Sequence, residues 1–299
     1  MTVMEALKSA NEQLKHDDIA TASPMLDAEV LLSEVLAEPK AWLFSHFAFT
    51  LQKYQREKFE QYIRRRRSGE PVAYITGHKE FYQRDFFVSP SVLIPRPATE
   101  TLIEVAIGRA KDLSINDTVF ADIGTGSGAI AITLAAETKI PVIAVDISPE
   151  ALEIAKKNAT THQVQALLDF RQGNLLEPLV KIFEKIKKTP TEVDIKNLII
   201  CANLPYLSDA QMETLQTETQ HEPILALKGG VDGLNAYWQL IRDLRKFRYL
   251  FPKNLNLILE IEPAQKDKLF TIISHDFPFT KPAIVNDMDG LERVVVNQI

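Results

Sequence analysis

The chain has 299 residues, 45% hydrophobic and 25% charged, the make-up of an ordinary soluble globular protein with room for two domains. Its 34 basic and 40 acidic side chains leave a net charge of −6, which argues against nucleic acid as the main partner. The single cysteine, Cys201, excludes an internal disulfide and a cysteine-rich metal site, and six scattered histidines argue against a metal centre. No apolar run approaches the ~20 residues of a membrane helix. Met1 to Leu36 is amphipathic and acid-containing, unlike a secretory signal or a transit peptide.

Residues 1–74 are predicted to be a small helical domain. Ala22, Met25, Leu26, Val30, Leu31, Val35 and Leu36 mark one helical stripe, with Ser23-Pro24 as cap and first turn. A second helix is predicted over Leu51–Arg67, with Tyr54, Phe59, Tyr62 and Ile63 on its apolar side and Gly69 and Pro71 ending it. Arg64–Arg67 reads either as a solvated helix end or as a contact for an acidic partner. Residues 75–116 are predicted to be a β-hairpin and a stiff connector. Tyr74–Thr76 and Glu80–Val88 are β-prone, and Leu93-Ile94-Pro95-Arg96-Pro97 cannot be helical.

Over 117–299 strands and helices alternate. Strands are expected at Val119–Ile123, Val142–Val145, near 169–172, at Leu198–Ala202 and Leu255–Ile261, and near 283–285 and 293–297. Helices are expected at Ala129–Glu137, Pro149–Asn158, Leu234–Leu250 and Ala264–Ser274. The Lys-rich stretch 181–190 reads as a solvated helix end or loop. The pattern predicts an α/β domain with a mainly parallel sheet covered on both faces, whose ligands bind beyond the carboxyl ends of the strands.

Asp122-Ile123-Gly124-Thr125-Gly126-Ser127-Gly128 joins the first of these strands to its helix. Glycines let the backbone turn tightly and approach a ligand, and the helix start offers free N–H groups. The spacing is neither that of dinucleotide binders nor that of phosphate loops, and no Lys is present to reach a phosphate. Asp122 suits a cationic amino-acid end. Asp146, ending the second strand, suits ribose hydroxyls. Asn174, with Leu175 beside it after the third strand, is placed for adenine. A nucleoside joined to an amino acid describes S-adenosylmethionine.

Asn203-Leu204-Pro205-Tyr206 follows the next strand and suits a planar NH2 group. The Asn203 carboxamide accepts one N–H, the Leu204 carbonyl accepts the other, and Tyr206 stacks on the flat group. Asn203 therefore adjoins both cofactor and substrate. Tyr237 and Trp238 share a helical stripe with Leu234, Ile241 and Leu244 and read as core, and Cys201 reads as a buried strand residue.

With both motifs in hand, the chain resembles the PrmC/HemK family of release-factor glutamine N5-methyltransferases. The likeness runs from Arg64-Arg65-Arg66-Arg67-Ser68-Gly69-Glu70-Pro71 through Leu93-Ile94-Pro95-Arg96-Pro97 and Thr99-Glu100 to His221-Glu222-Pro223, Gly229-Gly230 and Asp232-Gly233-Leu234. It implies a Rossmann-like class I S-adenosylmethionine-dependent methyltransferase domain at 117–299, a helical substrate-recognition domain at 1–74 and a hairpin linker. It also implies a substrate, the glutamine of the Gly-Gly-Gln loop in class 1 peptide release factors. A cytoplasmic monomer with no stable nucleic-acid partner, no membrane and no metal is expected.

The family's Asn-Pro-Pro-Tyr reads Asn-Leu-Pro-Tyr here, a substitution expected to soften the clamp. Glu262 stands where the family usually has Gly, and Ala98 where it usually has Glu. Three alternatives stay open from the residues. The same clamp suits the exocyclic amine of a flipped adenine in DNA or RNA. It also suits a glutamine of a ribosomal protein, or a cofactor-binding module without transfer activity.

Overall fold

The computed structural model describes residues 1–15, 23–188 and 194–299. His16, Ala22 and residues 189–190 of the Lys-rich stretch lie outside them. The chain divides into two compact units: residues 1–78, 88–90 and 215–222 form one, and residues 79–87, 91–214 and 223–299 the other.

The first unit holds α1 (Val3–Lys15), α2 (Pro24–Leu36), α3 (Lys40–Ser45), α4 (Lys53–Arg67) and α5 (Val72–Thr76). Val3, Ala6, Leu7, Ala10 and Leu14 recur at helical spacing on one face of α1. They meet Ala28, Leu31 and Leu32 of α2 and Phe59 and Ile63 of α4 in one core. Tyr54 falls off the buried face of α4 and is exposed, against expectation. Ser23 makes no side-chain cap, so Pro24 in the first turn is what starts α2. Tyr74–Thr76, expected to be β-like, is helical. Tyr74 N–H donates to the Pro71 carbonyl at 2.9 Å, and Gly77 ends the turn at φ +81°.

The Arg run is only partly a solvated face. Arg65 grips the Glu70 carboxylate through Nε and Nη2 at 2.7 and 2.5 Å. Arg66 is buried between Asp27, at 2.7 Å, and Glu218.

The second unit carries, from Lys79 on, a hairpin of β1 (His78–Phe81) and β2 (Arg84–Phe87), then α6 (Thr99–Ala110). Next come β3 (Thr118–Ile123), α7 (Ala129–Thr138), β4 (Val142–Asp146), α8 (Pro149–Thr161), β5 (Leu168–Gln172) and α9 (Glu177–Lys188). The chain continues through β6 (Asn197–Ala202), β7 (Leu207–Ser208), α10 (Asp209–Glu213), α11 (Ile224–Leu227) and β8 (Lys228–Gly230). It closes with α12 (Asn235–Phe247), β9 (Asn254–Glu260), α13 (Lys266–Asp276), β10 (Ala283–Asn286) and β11 (Glu292–Gln298).

Among the described residues a seven-stranded sheet has the order β10-β11-β9-β6-β3-β4-β5. β9, β6, β3, β4 and β5 run parallel, whereas β11 is antiparallel to its neighbours β9 and β10. Alternate residues of β3 and β6 face opposite layers. Ala121, Ile123, Ile200 and Ala202 meet α12 and α13, while Phe120, Ile199 and Cys201 meet α6 and α7. The helix at 99–110 lies within the stretch expected to be connector, and it packs on β9 and α7. Chain direction across the sheet reverses between β3 and β6, so the loops after these two strands open a crevice.

Candidate active site

A cavity of about 380 Å³ opens at this reversal, within the range of small-ligand sites. Its wall is formed by the loop after β3, the ends of β4 and β6, the turn after β5, and residues 91–99. Gly124, Thr125, Gly126, Ser127, Asp146, Asn174, Leu175, Asn203, Leu204 and Pro205 all line it.

Backbone bonds set the loop. Gly124 and Thr125 N–H both donate to the Val145 carbonyl at 2.9 Å. Gly126 N–H donates to Asp146 Oδ2 at 2.8 Å, and Ser148 N–H to Asp146 Oδ1 at 2.9 Å. Burial raises the Asp146 pKa, opposed by these N–H groups. Each carboxylate oxygen keeps a lone pair for another donor. Gly126 has φ +54°, and a Cβ there would meet no protein atom within 4 Å. It lines the cavity, so the missing side chain leaves ligand space.

Three expected site residues stand back from the cavity. Gly128, at φ +82°, lies against Ala155 of α8, so its role is helix packing. Asp122 is fully buried beneath the loop, where its Oδ2 accepts from Thr125 Oγ1 at 2.7 Å and Ala131 N–H at 3.1 Å. It therefore braces the loop instead of lining the ligand space. Its Oδ1 has no partner, and burial lifts the pKa to about 7 against the pull of Thr125 and Ala131, with the Asp146 charge adding to the rise. Tyr206 packs its ring against the core, and its carbonyl accepts from Gln265 Nε2 at 2.8 Å. That is an anchoring position in place of the stacking expected. Burial, then the nearby Glu260, raises the phenol to about 12.

At the clamp itself, Asn203 Nδ2 donates to Thr99 Oγ1 at 3.2 Å. The Leu204 side chain is buried, with Cδ2 3.4 Å from where a Gly124 Cβ would stand. Its carbonyl lies 3.1 Å from the Tyr237 hydroxyl. Packing and this contact hold the peptide that a proline would otherwise stiffen, so the expected softening is countered. Gly229 and Gly233 press on the next two residues. A Cβ on Gly229 would stand 2.6 Å from the Pro205 carbonyl oxygen, and one on Gly233 would overlap that of Tyr206. Glu262 has φ −70° and ψ 132°, so a glycine is not required there.

Thr99, Tyr237, Glu260 and Gln265 complete the site, and sequence reasoning gave none of them a role in it. Trp238, expected in the core, is 39% exposed, while Tyr237, Ile241 and Leu244 are buried as expected. Cys201 is buried and its pKa is raised by desolvation, which makes it inert.

The cavity fits the expected cofactor on two counts: an open cradle at Gly126 and spare acceptor capacity on Asp146. Among the described residues no helix is long and apolar enough to cross a membrane.

Residues 5–77 match the family described as PrmC N-terminal domain, and residues 114–276 the family described as Methyltransferase domain. A release factor glutamine methyltransferase of Koribacter versatilis is 37% identical over 100% of this chain and 99% of its own length. That of Bacillus anthracis is 33% identical over 100% of both, and that of Dictyoglomus turgidum 36% over 97% and 96%. Among solved structures, the hMettl16 catalytic domain in complex with an RNA hairpin aligns over 83% of this chain and 82% of its own. Its TM-score is 0.53 at 13% identity, which shows the shared fold. The chain belongs to the release factor glutamine methyltransferase family, with the Rossmann-like class I methyltransferase fold and S-adenosylmethionine as its cofactor.

Proposed function

We propose that the protein transfers a methyl group to the side-chain amide nitrogen, N5, of the glutamine in the Gly-Gly-Gln loop of class 1 peptide release factors. One observation carries this reading. Asn203 donates one Nδ2–H to Thr99, which turns its NH2 end to that residue and leaves Oδ1 to accept an N–H in the cavity.

The Gly124–Gly128 loop, with Thr125 and Ser127, would hold the amino-acid end of the cofactor over Asp122, which braces the loop. Asp146 would hold the ribose, and Asn174 and Leu175 the adenine. When bound, the cofactor supplies an electrophilic methyl group on a sulfonium.

An amide nitrogen is a weak nucleophile because its lone pair is delocalised. Asn203 Oδ1 and the Leu204 carbonyl accept its two protons, which aims the nitrogen and favours the positive charge that develops on it. Orientation of this kind is worth up to roughly 7–11 kcal/mol, and the fixed dipoles add to it. Pro205 and Tyr206 keep these acceptors in place. Among the described residues lining the cavity, Asp146 is the one carboxylate, and two backbone N–H groups already engage it. The amide proton therefore leaves to water without a dedicated base.

In this reading residues 1–74 recognise the release factor, residues 75–116 link, and residues 117–299 carry the chemistry. The chain works as a cytoplasmic monomer without a stable nucleic-acid partner. The net charge of −6 supports the lack of a nucleic-acid partner, and the single buried cysteine fits a reducing compartment. Incubation with a release factor and S-adenosylmethionine, followed by peptide mass spectrometry, should find one added methyl on the Gly-Gly-Gln glutamine. Methyl transfer to adenine in nucleic acid instead would refute the reading.

A further inference from the structure

We propose that Thr99 and Glu260 form a buried relay that selects which end of the Asn203 carboxamide meets the substrate. The proposal rests on the reading above, in which that end must be an acceptor. A carboxamide has nearly the same shape after a half-turn, so sterics alone do not choose between O and NH2. Hydrogen-bond partners have to choose.

Thr99 is the first residue of α6 and is buried; its hydroxyl donates to the Glu260 carboxylate. A threonine hydroxyl has one proton. With Glu260 ionised and that proton committed to it, Thr99 Oγ1 only accepts, and the group it accepts is Asn203 Nδ2–H at 3.2 Å. A flipped Asn203 would bring two oxygens together here with no proton between them. It would also turn an NH2 donor toward the NH2 of the substrate. Both contacts are repulsive, and both are made worse by burial.

The sheet explains why Glu260 is available. β9 pairs in parallel with β6, and Ala202 lies opposite Leu259, so Glu260 and Asn203 are the next residues on the two strands. Glu260 is 1% exposed and its Oε2 has no hydrogen-bond partner. Burial lifts its pKa to about 7, with Thr99, Arg293 and Arg96 pulling the other way. A carboxylate held at such a cost, away from the cavity wall, calls for a reason, and the relay supplies one. Residue 260 also reaches the second acceptor. Its backbone carbonyl accepts from the Tyr237 hydroxyl at 2.5 Å, and the same hydroxyl lies 3.1 Å from the Leu204 carbonyl. Thr99 and Glu260 are thus positioning residues.

The test uses the full chain with a release factor as substrate, three single variants and an Asn203→Ala background. Thr99→Val keeps the shape and removes the hydroxyl. It should lower kcat about tenfold, the rate equivalent of one misdirected hydrogen bond, and leave cofactor affinity and KM for the release factor near wild type. Thr99→Ser should recover most of the loss. Glu260→Met keeps the bulk and removes the acceptor, frees the threonine proton for Asn203 Oδ1, and should resemble Thr99→Val. In an Asn203→Ala background Thr99→Val should cost nothing more.

A wild-type kcat in Thr99→Val, or a loss that adds to that of Asn203→Ala, overturns the relay. A second readout needs no substrate. In 15N-labelled protein the Asn203 side-chain proton bonded to Thr99 should be shifted downfield and slow to exchange, beyond the separation that every carboxamide pair shows. That signature should vanish in Thr99→Val and Glu260→Met and persist in Thr99→Ser. Its persistence in all three overturns the relay. Failure of the wild type to methylate a release factor, with the signature present, would count against the functional reading alone.

Discussion

The Tyr237 hydroxyl lies between two carbonyl oxygens, 3.1 Å from that of Leu204 and 2.5 Å from that of Glu260. One proton serves both, and the shorter contact takes most of it. The Leu204 carbonyl is therefore held in place yet keeps capacity for a second donor. Tyr237→Phe should cost about 1–3 kcal/mol, because buried acceptors lose their donor. Turnover should fall as well, since the Leu204 peptide loses an anchor. Urea unfolding and steady-state kinetics check both, and an unchanged kcat in a destabilised variant would reduce Tyr237 to a core residue.

Glycines of the cofactor loop should separate into two kinds. Gly126 has open space beside it, so Gly126→Ala should cost only the left-handed backbone penalty of about 1–2 kcal/mol. Its methyl would, however, enter the ligand space and weaken cofactor binding sharply. Gly128→Ala meets Ile132 at 2.8 Å and Ala155 at 3.2 Å, so overpacking of about 1–3 kcal/mol should add to the backbone penalty. Calorimetric titration and denaturant melts should rank the two variants in opposite orders.

Much of this site was legible because its chemistry is local. Asp122–Gly128, Asp146 and Asn203–Tyr206 each sit at the end of an apolar strand, and a short motif carries each. The relay was not legible. Thr99 and Asn203 are 104 residues apart, and Glu260 joins them only because the sheet order sets β9 beside β6. The misread elements have local causes. α6 begins just after Pro95 and Pro97, whose fixed backbone makes the stretch read as connector. Tyr74–Thr76 looks β-prone, yet Pro71 and Gly77 bound a single helical turn. The lysines of α9 are exposed on a helix end as expected, while its other face packs Leu179 and Phe183 into the core.

Asp122 should make stability depend on pH. Burial raises its folded pKa from 3.8 to about 7, so the folded state binds its proton more tightly than the unfolded chain does. The stabilisation is complete below about pH 4 and is lost as pH rises to about 7, by on the order of 4 kcal/mol. Asp122→Asn keeps an acceptor for Thr125 and Ala131 and carries no charge. It should be more stable than the wild type at pH 8, by a margin that shrinks at pH 5. Urea titrations at the two pH values measure this, and an equal margin at both would contradict it.

In the helical unit, the Arg run should divide by burial. Arg66→Ala strands Asp27 without its cation and should cost about 3–5 kcal/mol, as for other broken buried pairs. Arg64→Ala should leave folding within about 0.5 kcal/mol, as surface changes do. Thermal melts of the two variants give the comparison, and equal losses would contradict it.

The central claim is that Asn203 orients an amide nitrogen of a protein glutamine. Single-turnover mass spectrometry of a release factor, with wild type and Asn203→Ala at saturating S-adenosylmethionine, tests it most directly. The account predicts one methyl on the Gly-Gly-Gln glutamine with wild type. It predicts a rate lower by about 10²–10³ for the variant, comparable to loss of one preorganised dipole, with cofactor affinity retained. Methylation by Asn203→Ala at the wild-type rate, or equal loss of rate and cofactor binding, would contradict it.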